Sequence, residues 1–388
     1  MNEYEIAFVS RMTYIPEIEW DALASRFGNP LLGWGYLALL EESGSICPAT
    51  GWNPVHLTVR RSGKLVAAAP LYIRTDSWGD YVFDFEFAAC ADRIKAPYYP
   101  KLVGTIPATP APVWRVLTEV DDSGLESLCI QAAREAARKA GLAGTHFLWV
   151  DPGFLPVLAK ADEGSCEWRH QYFHWTNSGY RDIADCLDSW SKNMRRNVSR
   201  ERDSVRKSGM ETCIISPHDC SPRYLELMAD CYEDTNAKFG PYAAKFLTRD
   251  FFIRLPDFMP SGWALSAAFS ASRAEPVALA FLLEAERTLY GRFWGRTHQD
   301  SKNGDETVSG LHFEVCFYTP MEYVIAKGLE GFDPGMGSEH KARRGFRAEL
   351  CSSFHCLFDR RMQKIFASSM SEINAAELEM ITELNRDL

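Results

Sequence analysis

Residues 55–73, VHLTVRRSGKLVAAAPLYI, and residues 265–283, LSAAFSASRAEPVALAFLL, follow one plan twice: a strand, a polar turn, then a more apolar strand. Each stretch has the pattern of a hairpin with a half-buried and a more deeply buried arm. The plan continues outward from both. An aromatic strand is expected next, YVFDFEFA at 81–88 and TLYGRFWG at 288–295. A helix then opens on the same tripeptide, Ser123-Gly124-Leu125 and Ser309-Gly310-Leu311. It stops at Gly141 and at Gly328, where a glycine can take the left-handed cap. A last strand closes each set, THFLWV at 145–150 and GFDPG at 331–335. This repetition predicts an α/β (α+β) protein of two tandem domains, residues 1–180 and 181–388. Each would be a mixed, mostly antiparallel sheet flanked by helices.

The first half carries an insert, residues 93–120, with YYPKL at 98–102 and PATPAP at 107–112. A proline run fixes a loop rather than continuing a strand. The insert reads equally as a substrate loop and as a rigid connection. Asp84, Tyr99 and Lys101 are the substrate-binding candidates of this half.

At 388 residues, 46% of them apolar, the chain is long enough for two cores. Its net charge of −10 argues against coating nucleic acid through bulk charge. Glu3 and Glu5 stand where a signal peptide carries positive charge. The most apolar runs, Trp263–Ser270 and Val277–Leu283, are split by Arg273, Glu275 and Pro276. Both fall short of the roughly 18–20 residues of a membrane helix. A cytoplasmic setting without membrane insertion is expected. Eleven cysteines, scattered singly, suit a reducing compartment and burial as small apolar side chains. Cys351, Cys356, His340 and His355 show no ligand spacing, so no metal is expected, and no cofactor.

Between the halves lies DSWSKNMRRNVSRERDSVRK, residues 188–207, with seven Lys or Arg in twenty positions. On a helix, Trp190, Met194, Val198 and Val205 fall on one stripe. Lys192, Arg195, Arg196, Arg200, Arg202, Arg206 and Lys207 fan over the other face. Ser189 and Ser191 can cap its start, and Gly209 can stop it. Such a helix is either a solvated face or a phosphate site. For the second reading Lys192, Arg195, Arg196 and Arg200 are the tRNA- or phosphate-binding candidates, since guanidinium forks match phosphate.

The segment KNMRRNVSRERDSVRKSGM, residues 192–210, resembles the Fem-type (FemX/FemAB) signature that starts the second acetyltransferase-like domain of those proteins. More broadly, WDALASRFGNPLL, GDYVFDFEFA, YYPKL, FLTRDFFIRLPDFMP, LYGRFWG, LHFEVCFY and GSEHKARRGF resemble a bacterial family labelled as predicted N-acyltransferases of peptidoglycan biosynthesis or recognition. These pieces are spread along the chain from Trp20 to Phe346. The resemblance implies two tandem GNAT-like domains. It also implies transfer of an aminoacyl group from aminoacyl-tRNA to an amine, on a small molecule or a cell-wall precursor. Where Fem-type proteins carry Phe-Lys near a late glycine, this chain has Phe346-Arg347, and Lys341 is the alternative carrier of that charge. Two rival readings are an acyl-coenzyme A-dependent N-acyltransferase and a non-catalytic ligand-binding scaffold. The coenzyme A pyrophosphate pattern occurs only at Arg138–Ala143, at the end of a helix, where the dipole repels anions.

Aminolysis of an ester needs a base and oxyanion donors but no covalent nucleophile. The chain's polar residues gather in the second half. Glu339, His340, Lys341, His312 and Glu314 are the catalytic candidates, with Glu339 or His340 expected as base and Lys341 beside the oxyanion. His312 and Glu314 lie about 200° apart on a helix, so at most one can face a cleft. Tyr290, Arg292, Trp294, Arg344 and Arg347 are the substrate-binding candidates of this half.

Overall fold

The computed structural model describes residues 4–161, 164–238, 240, 246–271, 273–297, 308–337 and 340–386. The chain divides into two compact units, Met1–Gln171 with Leu350–Thr382, and Tyr172–Glu349 with Glu383–Leu388. This differs from a simple division after residue 180. The long helix Arg360–Leu384 places Met362, Phe366 and Met370 in a core cluster with Ala91, Tyr98 and Leu357 of the first unit. An apolar stripe on a carboxy-terminal helix gives no sequence sign of which core it completes.

In the first unit, β1 (Tyr4–Val9) pairs with β3 (His56–Arg61), β3 with β4 (Lys64–Ala69), and β4 with β7 (Leu117–Thr118), all antiparallel. A second set runs β2 (Trp52–Pro54), β5 (Leu71–Arg74), β6 (Lys101–Gly104), β8 (Gly144–Val150) and β15 (Arg347–Leu357). β6 and β8 are parallel and the other pairs in this set are antiparallel. Pro70 divides β4 from β5. It has no N–H to give a ladder, so the strand changes partners there, Ala69 facing Leu57 and Leu71 facing Gly104.

In the second unit, β10 (Met210–Ile215), β11 (Trp263–Ser270), β12 (Ala278–Glu284) and β13 (Thr288–Arg296) form antiparallel pairs. β14 (Gly331–Asp333) lies parallel to β13 and then pairs antiparallel with β9 (Cys166–Thr176) through Thr176 and Trp175. Both units therefore repeat one motif: a hairpin, an antiparallel third strand, and a parallel fourth reached through a helical crossover. The crossover helices are Ser123–Lys139 in the first unit, and Leu311–Phe313, a π turn Glu314–Tyr318 and Thr319–Lys327 in the second. A parallel pair needs such a crossover. This is the tandem arrangement that the repeats predict, in the GNAT-like form that the resemblance implies.

One expected strand is not a strand. Residues 81–84 are coil and Phe85–Arg93 is a helix, and the third strand of the first unit is β6, inside the 93–120 insert. The alternation at 81–88 is inverted: Phe83 and Phe85 are exposed, whereas Asp84 is buried against Lys101. From Phe85 onward a helical period takes over, with Ala91 buried and Phe87 4.5 Å from Phe366 between ring centroids.

Candidate functional site

A cavity of about 350 Å³ opens in the second unit. Strands β12 and β13 supply its floor, including Gly291, Arg292 and Trp294, and the crossover supplies His312, Cys316 and Phe317. The segment after β14 supplies Pro334, Met336, Gly337, His340 and Lys341. This is the crevice beyond the carboxyl end of a parallel strand, where α/β sheets bind ligands.

His312 lies against Trp294, with ring centroids 4.4 Å apart, and against Phe313 and Phe317. Burial, and then the cations Arg344 and Lys341 with His340, push its pKa down to about 4. The imidazole is therefore neutral at pH 7. Among the described residues neither ring nitrogen has a hydrogen-bond partner. Glu314, two residues on, turns the other way. It is buried against Arg202, accepting from Nη2 at 2.9 Å and from Nε at 3.1 Å, and Arg202 also meets Glu322 at 2.8 Å. Burial raises the Glu314 carboxyl above its ordinary range despite Arg202.

The Lys341 ammonium is buried and donates to the carbonyl oxygens of Gly335 at 2.7 Å, Met336 at 2.5 Å and Pro334 at 3.0 Å. Burial lowers its pKa to about 7; Asp333 opposes that shift and Arg292 adds to it. Asp333 grips Arg292 through both oxygens at 3.1 Å and accepts the Gly335 N–H at 2.7 Å. The guanidinium of Arg292 thus lines the cavity but is held by an internal carboxylate, which also sets the turn carrying the Lys341 carbonyl cage.

The remaining second-half candidates are dispersed. His340 is exposed and lines the cavity, and Glu339 lies outside the described residues. Tyr290 is buried, its ring 5.0 Å from the Arg292 guanidinium. Arg344 is buried and bound to Glu201 at 2.6 Å, to Tyr318 Oη at 3.1 Å and to the His340 carbonyl at 2.8 Å. Arg347 is exposed and lines a different cavity. The aromatic rings Phe313 and Phe317 and the thioether of Met336 also line the first cavity, although none of them was among the site candidates that the sequence offered.

In the first unit, Asp84, Tyr99 and Lys101 do come together. Lys101 Nζ donates to Asp84 Oδ2 at 2.5 Å and to Ser77 Oγ at 2.8 Å, and Ser77 Oγ lies 2.7 Å from Tyr99 Oη. Tyr98 Oη adds a bond to Asp84 at 2.9 Å. Burial alone would raise the Asp84 carboxyl, but Lys101 and these hydroxyls hold it below the ordinary range. Asp84 and Lys101 are both buried and neutralise one another.

The basic helix is Lys192–Lys207, capped by the Ser191 hydroxyl on the Met194 N–H. Val198, Val205 and Arg202 face inward, so Arg202 departs from the expected outer fan because two carboxylates await it. Lys192, Arg196 and Arg200 are exposed and Arg195 is half-buried. Among the described residues none of these four is paired with an acid, although Arg195 caps the Asp188 carbonyl and Arg200 reaches Asn197.

Residues 11–388 match the FemAB-like family, described as peptidoglycan biosynthesis/recognition. The chain belongs to this family. No curated protein matches this FemAB-like chain. Among solved structures it is similar to the C-terminal DUF2156 domain of an Agrobacterium fabrum protein, with TM-score 0.55 and 11% identity, covering 91% of this chain and 94% of that one. It is also similar to FemX, with TM-score 0.52, 12% identity and coverage of 91% and 98%. L-PGS from Bacillus licheniformis gives TM-score 0.52, 12% identity and coverage of 92% and 96%. At such identities the likeness is one of fold. Among the described residues of this FemAB-like chain no helix is long and apolar enough to cross a membrane. No group of three or more His, Cys, Asp or Glu is placed to hold a metal ion.

Proposed function

We propose that this FemAB-like protein is an N-acyltransferase that moves an aminoacyl group from aminoacyl-tRNA to an amine, on a small molecule or a cell-wall precursor, in the cytoplasm. The observation that carries this reading is the meeting of a neutral imidazole, His312, and a buried amine, Lys341, in one cavity of about 350 Å³.

In this reaction the amine nitrogen attacks the ester carbonyl. A C–N bond forms, the carbonyl electrons move to oxygen, and their return expels the ribose oxygen of the RNA. The attacking nitrogen must lose a proton, and an unprotonated ring nitrogen of His312 can accept it. The leaving ribose oxygen takes up a proton in turn. Lys341 supports the negative oxygen in this scheme, a substrate oxygen replacing one of its three carbonyl partners. Cys316 lines the cavity, but burial pushes its thiol pKa far up, so it stays protonated and no thioester intermediate is invoked. Glu339 and His340 remain base candidates beside His312. The unpaired cations of the helix Lys192–Lys207 favour a polyanionic donor, and the family description favours a cell-wall acceptor. The test is a labelled transfer assay with cell extract as acceptor, comparing pooled charged tRNA with acetyl-coenzyme A. Label moving from tRNA alone supports the reading; label moving only from acetyl-coenzyme A overturns it.

A further inference from the structure

The first unit holds a cavity of about 470 Å³ where the crossover helix Ser123–Lys139 ends and β8 begins. Leu357, which faces Gly144 across the pair of β15 with β8, lines it together with Cys356 and Phe358. The cavity therefore lies at the amino end of β8, opposite to the end where α/β sheets hold their reactants. Two helices each bring a pair of like charges to it. Arg134 and Arg138 stand four residues apart on the crossover helix, and Arg360 and Lys364 four apart on the helix Arg360–Leu384. Side chains at this spacing are neighbours on one helix face, and like charges there destabilise the helix. Among the described residues no carboxylate lines the cavity, and Arg138, Arg360 and Lys364 have no ion-pair partner. The acids beside them in the chain are engaged elsewhere. Asp359 meets Arg361 at 2.8 Å and accepts the N–H groups of Arg361 and Met362, and Glu135 meets Lys139 at 2.6 Å. The walls are held in place. Arg138 lays its guanidinium over the Phe358 ring, 3.9 Å from the centroid, which directs its fork. Gln363 accepts the Leu357 N–H at 2.7 Å and donates to the Gly164 carbonyl at 2.8 Å.

We propose that this cavity binds a small polyphosphate anion, a diphosphate group held between the two cationic pairs, as an effector rather than a reactant. The Cβ atoms of each pair are about 5–6 Å apart on their helix, a span that two long cationic side chains can close around one phosphate. Two such pairs answer to two phosphates. The guanidinium forks match phosphate oxygens with paired N–H donors, and Lys364 adds a point charge. A single carboxylate would relieve one pair and leave the other repelling. Four cations around one concavity, on a chain of net charge −10, also make a focused spot rather than a track along which a polynucleotide could run. The effector role follows from what lines the cavity. Among the described residues neither a carboxylate nor a histidine is there to serve as base, and the lining thiol, Cys356, is buried. Bound diphosphate would tie the end of one helix to the start of the other and so stabilise the first unit. The proposal does not depend on the donor or the acceptor of the transfer reaction.

The experiment is isothermal titration calorimetry of the full-length protein at low salt with pyrophosphate, orthophosphate and ADP. The parent is compared with the double variant Arg138→Gln with Lys364→Gln, with Lys364→Arg, and with Arg196→Ala with Arg200→Ala on the basic helix. Pyrophosphate should bind the parent more tightly than orthophosphate. Each cation removed should weaken it roughly 10-fold or more, the range for hydrogen bonds to charged groups. Lys364→Arg and the basic-helix variant should bind pyrophosphate as the parent does. Without ligand the double variant should melt no lower than the parent, because repelling charges are removed, and this separates a lost ligand from a lost fold. If loss of the Arg138 stack on Phe358 lowers its Tm, the exposed Lys364→Gln alone carries the comparison. ADP binding more tightly than pyrophosphate identifies an organic diphosphate as the ligand, and the reverse order identifies the free anion. The proposal is overturned if pyrophosphate does not bind or binds no better than orthophosphate. It is equally overturned if the double variant keeps the affinity or the basic-helix variant loses it. Either result leaves the transfer reading as it stands.

Discussion

Replacing Glu314 by Gln should separate stability from chemistry at this site. Arg202 makes three bonds to Glu314, at 2.9–3.2 Å, and one to Glu322 at 2.8 Å. Removing the partner of a buried pair costs about 3–5 kcal/mol, because a charge is left buried without compensation. Glu322 remains, half in solvent, so the expected loss is about 2–3 kcal/mol. For a unit of this size that corresponds to a fall in Tm of roughly 4–12 °C. The double variant Arg202→Met with Glu314→Leu should recover most of it, since no charge is stranded. Turnover at 25 °C, per folded molecule, should stay within about threefold. His312→Ala should do the reverse: it removes a ring with no hydrogen-bond partner among the described residues, so the loss of turnover should far exceed any change in Tm. The assay is thermal unfolding followed by circular dichroism, alongside transfer kinetics. Unchanged Tm with collapsed turnover in Glu314→Gln would show that Glu314 is chemical rather than structural.

Lys341 gives a pH signature. Its folded pKa of about 7 lies below the ordinary 10.5, so the unfolded chain binds the extra proton between those values and stability rises with pH across that window. Lys341→Met should flatten this rise in urea titrations at pH 7 and pH 10. If the ammonium also supports the oxyanion, turnover should decline above pH 7, and the Met variant should lose on the order of 10²–10³. A stability profile identical to the parent's contradicts a depressed lysine. On the basic helix, Arg196→Ala with Arg200→Ala should lower the slope of log affinity for tRNA against log salt by roughly 0.7–0.9 for each phosphate that is no longer neutralised. An unchanged slope, read by filter binding between 50 and 200 mM salt, would leave that helix a solvated face.

The two hairpins were legible because strand and turn patterns are local. The crossover helices were equally so, since Gly328 takes the left-handed cap at φ +69° that its position implies. The strand expected at 81–88 failed for a long-range reason. Asp84 is drawn inward by Lys101, and that ion pair inverts the faces of an otherwise convincing aromatic alternation. At the site, the helical spacing of His312 and Glu314 implied that at most one can face a cleft, and His312 lines the cavity while Glu314 meets Arg202. Which one does so depends on Arg202, more than a hundred residues earlier. The same limit hid the fate of Arg292 and Arg344: sequence shows a cation, but only the fold supplies Asp333 and Glu201 to neutralise it. Nor did any local pattern signal the cavity that Arg347 lines, whose rings come from strand β9 at Trp175 and from the segments after it at Tyr180 and Trp190, and meet Gly345 only in three dimensions.

The most direct test of the account is a single-turnover measurement with purified, labelled aminoacyl-tRNA and an amine acceptor, comparing the parent protein with His312→Ala. If the cavity around His312 and Lys341 carries out aminolysis, the parent should form the amide. His312→Ala should then be slower by about 10²–10⁴, the range for a lost general base, with tRNA affinity unchanged. Equal rates of amide formation in the two proteins would contradict the account.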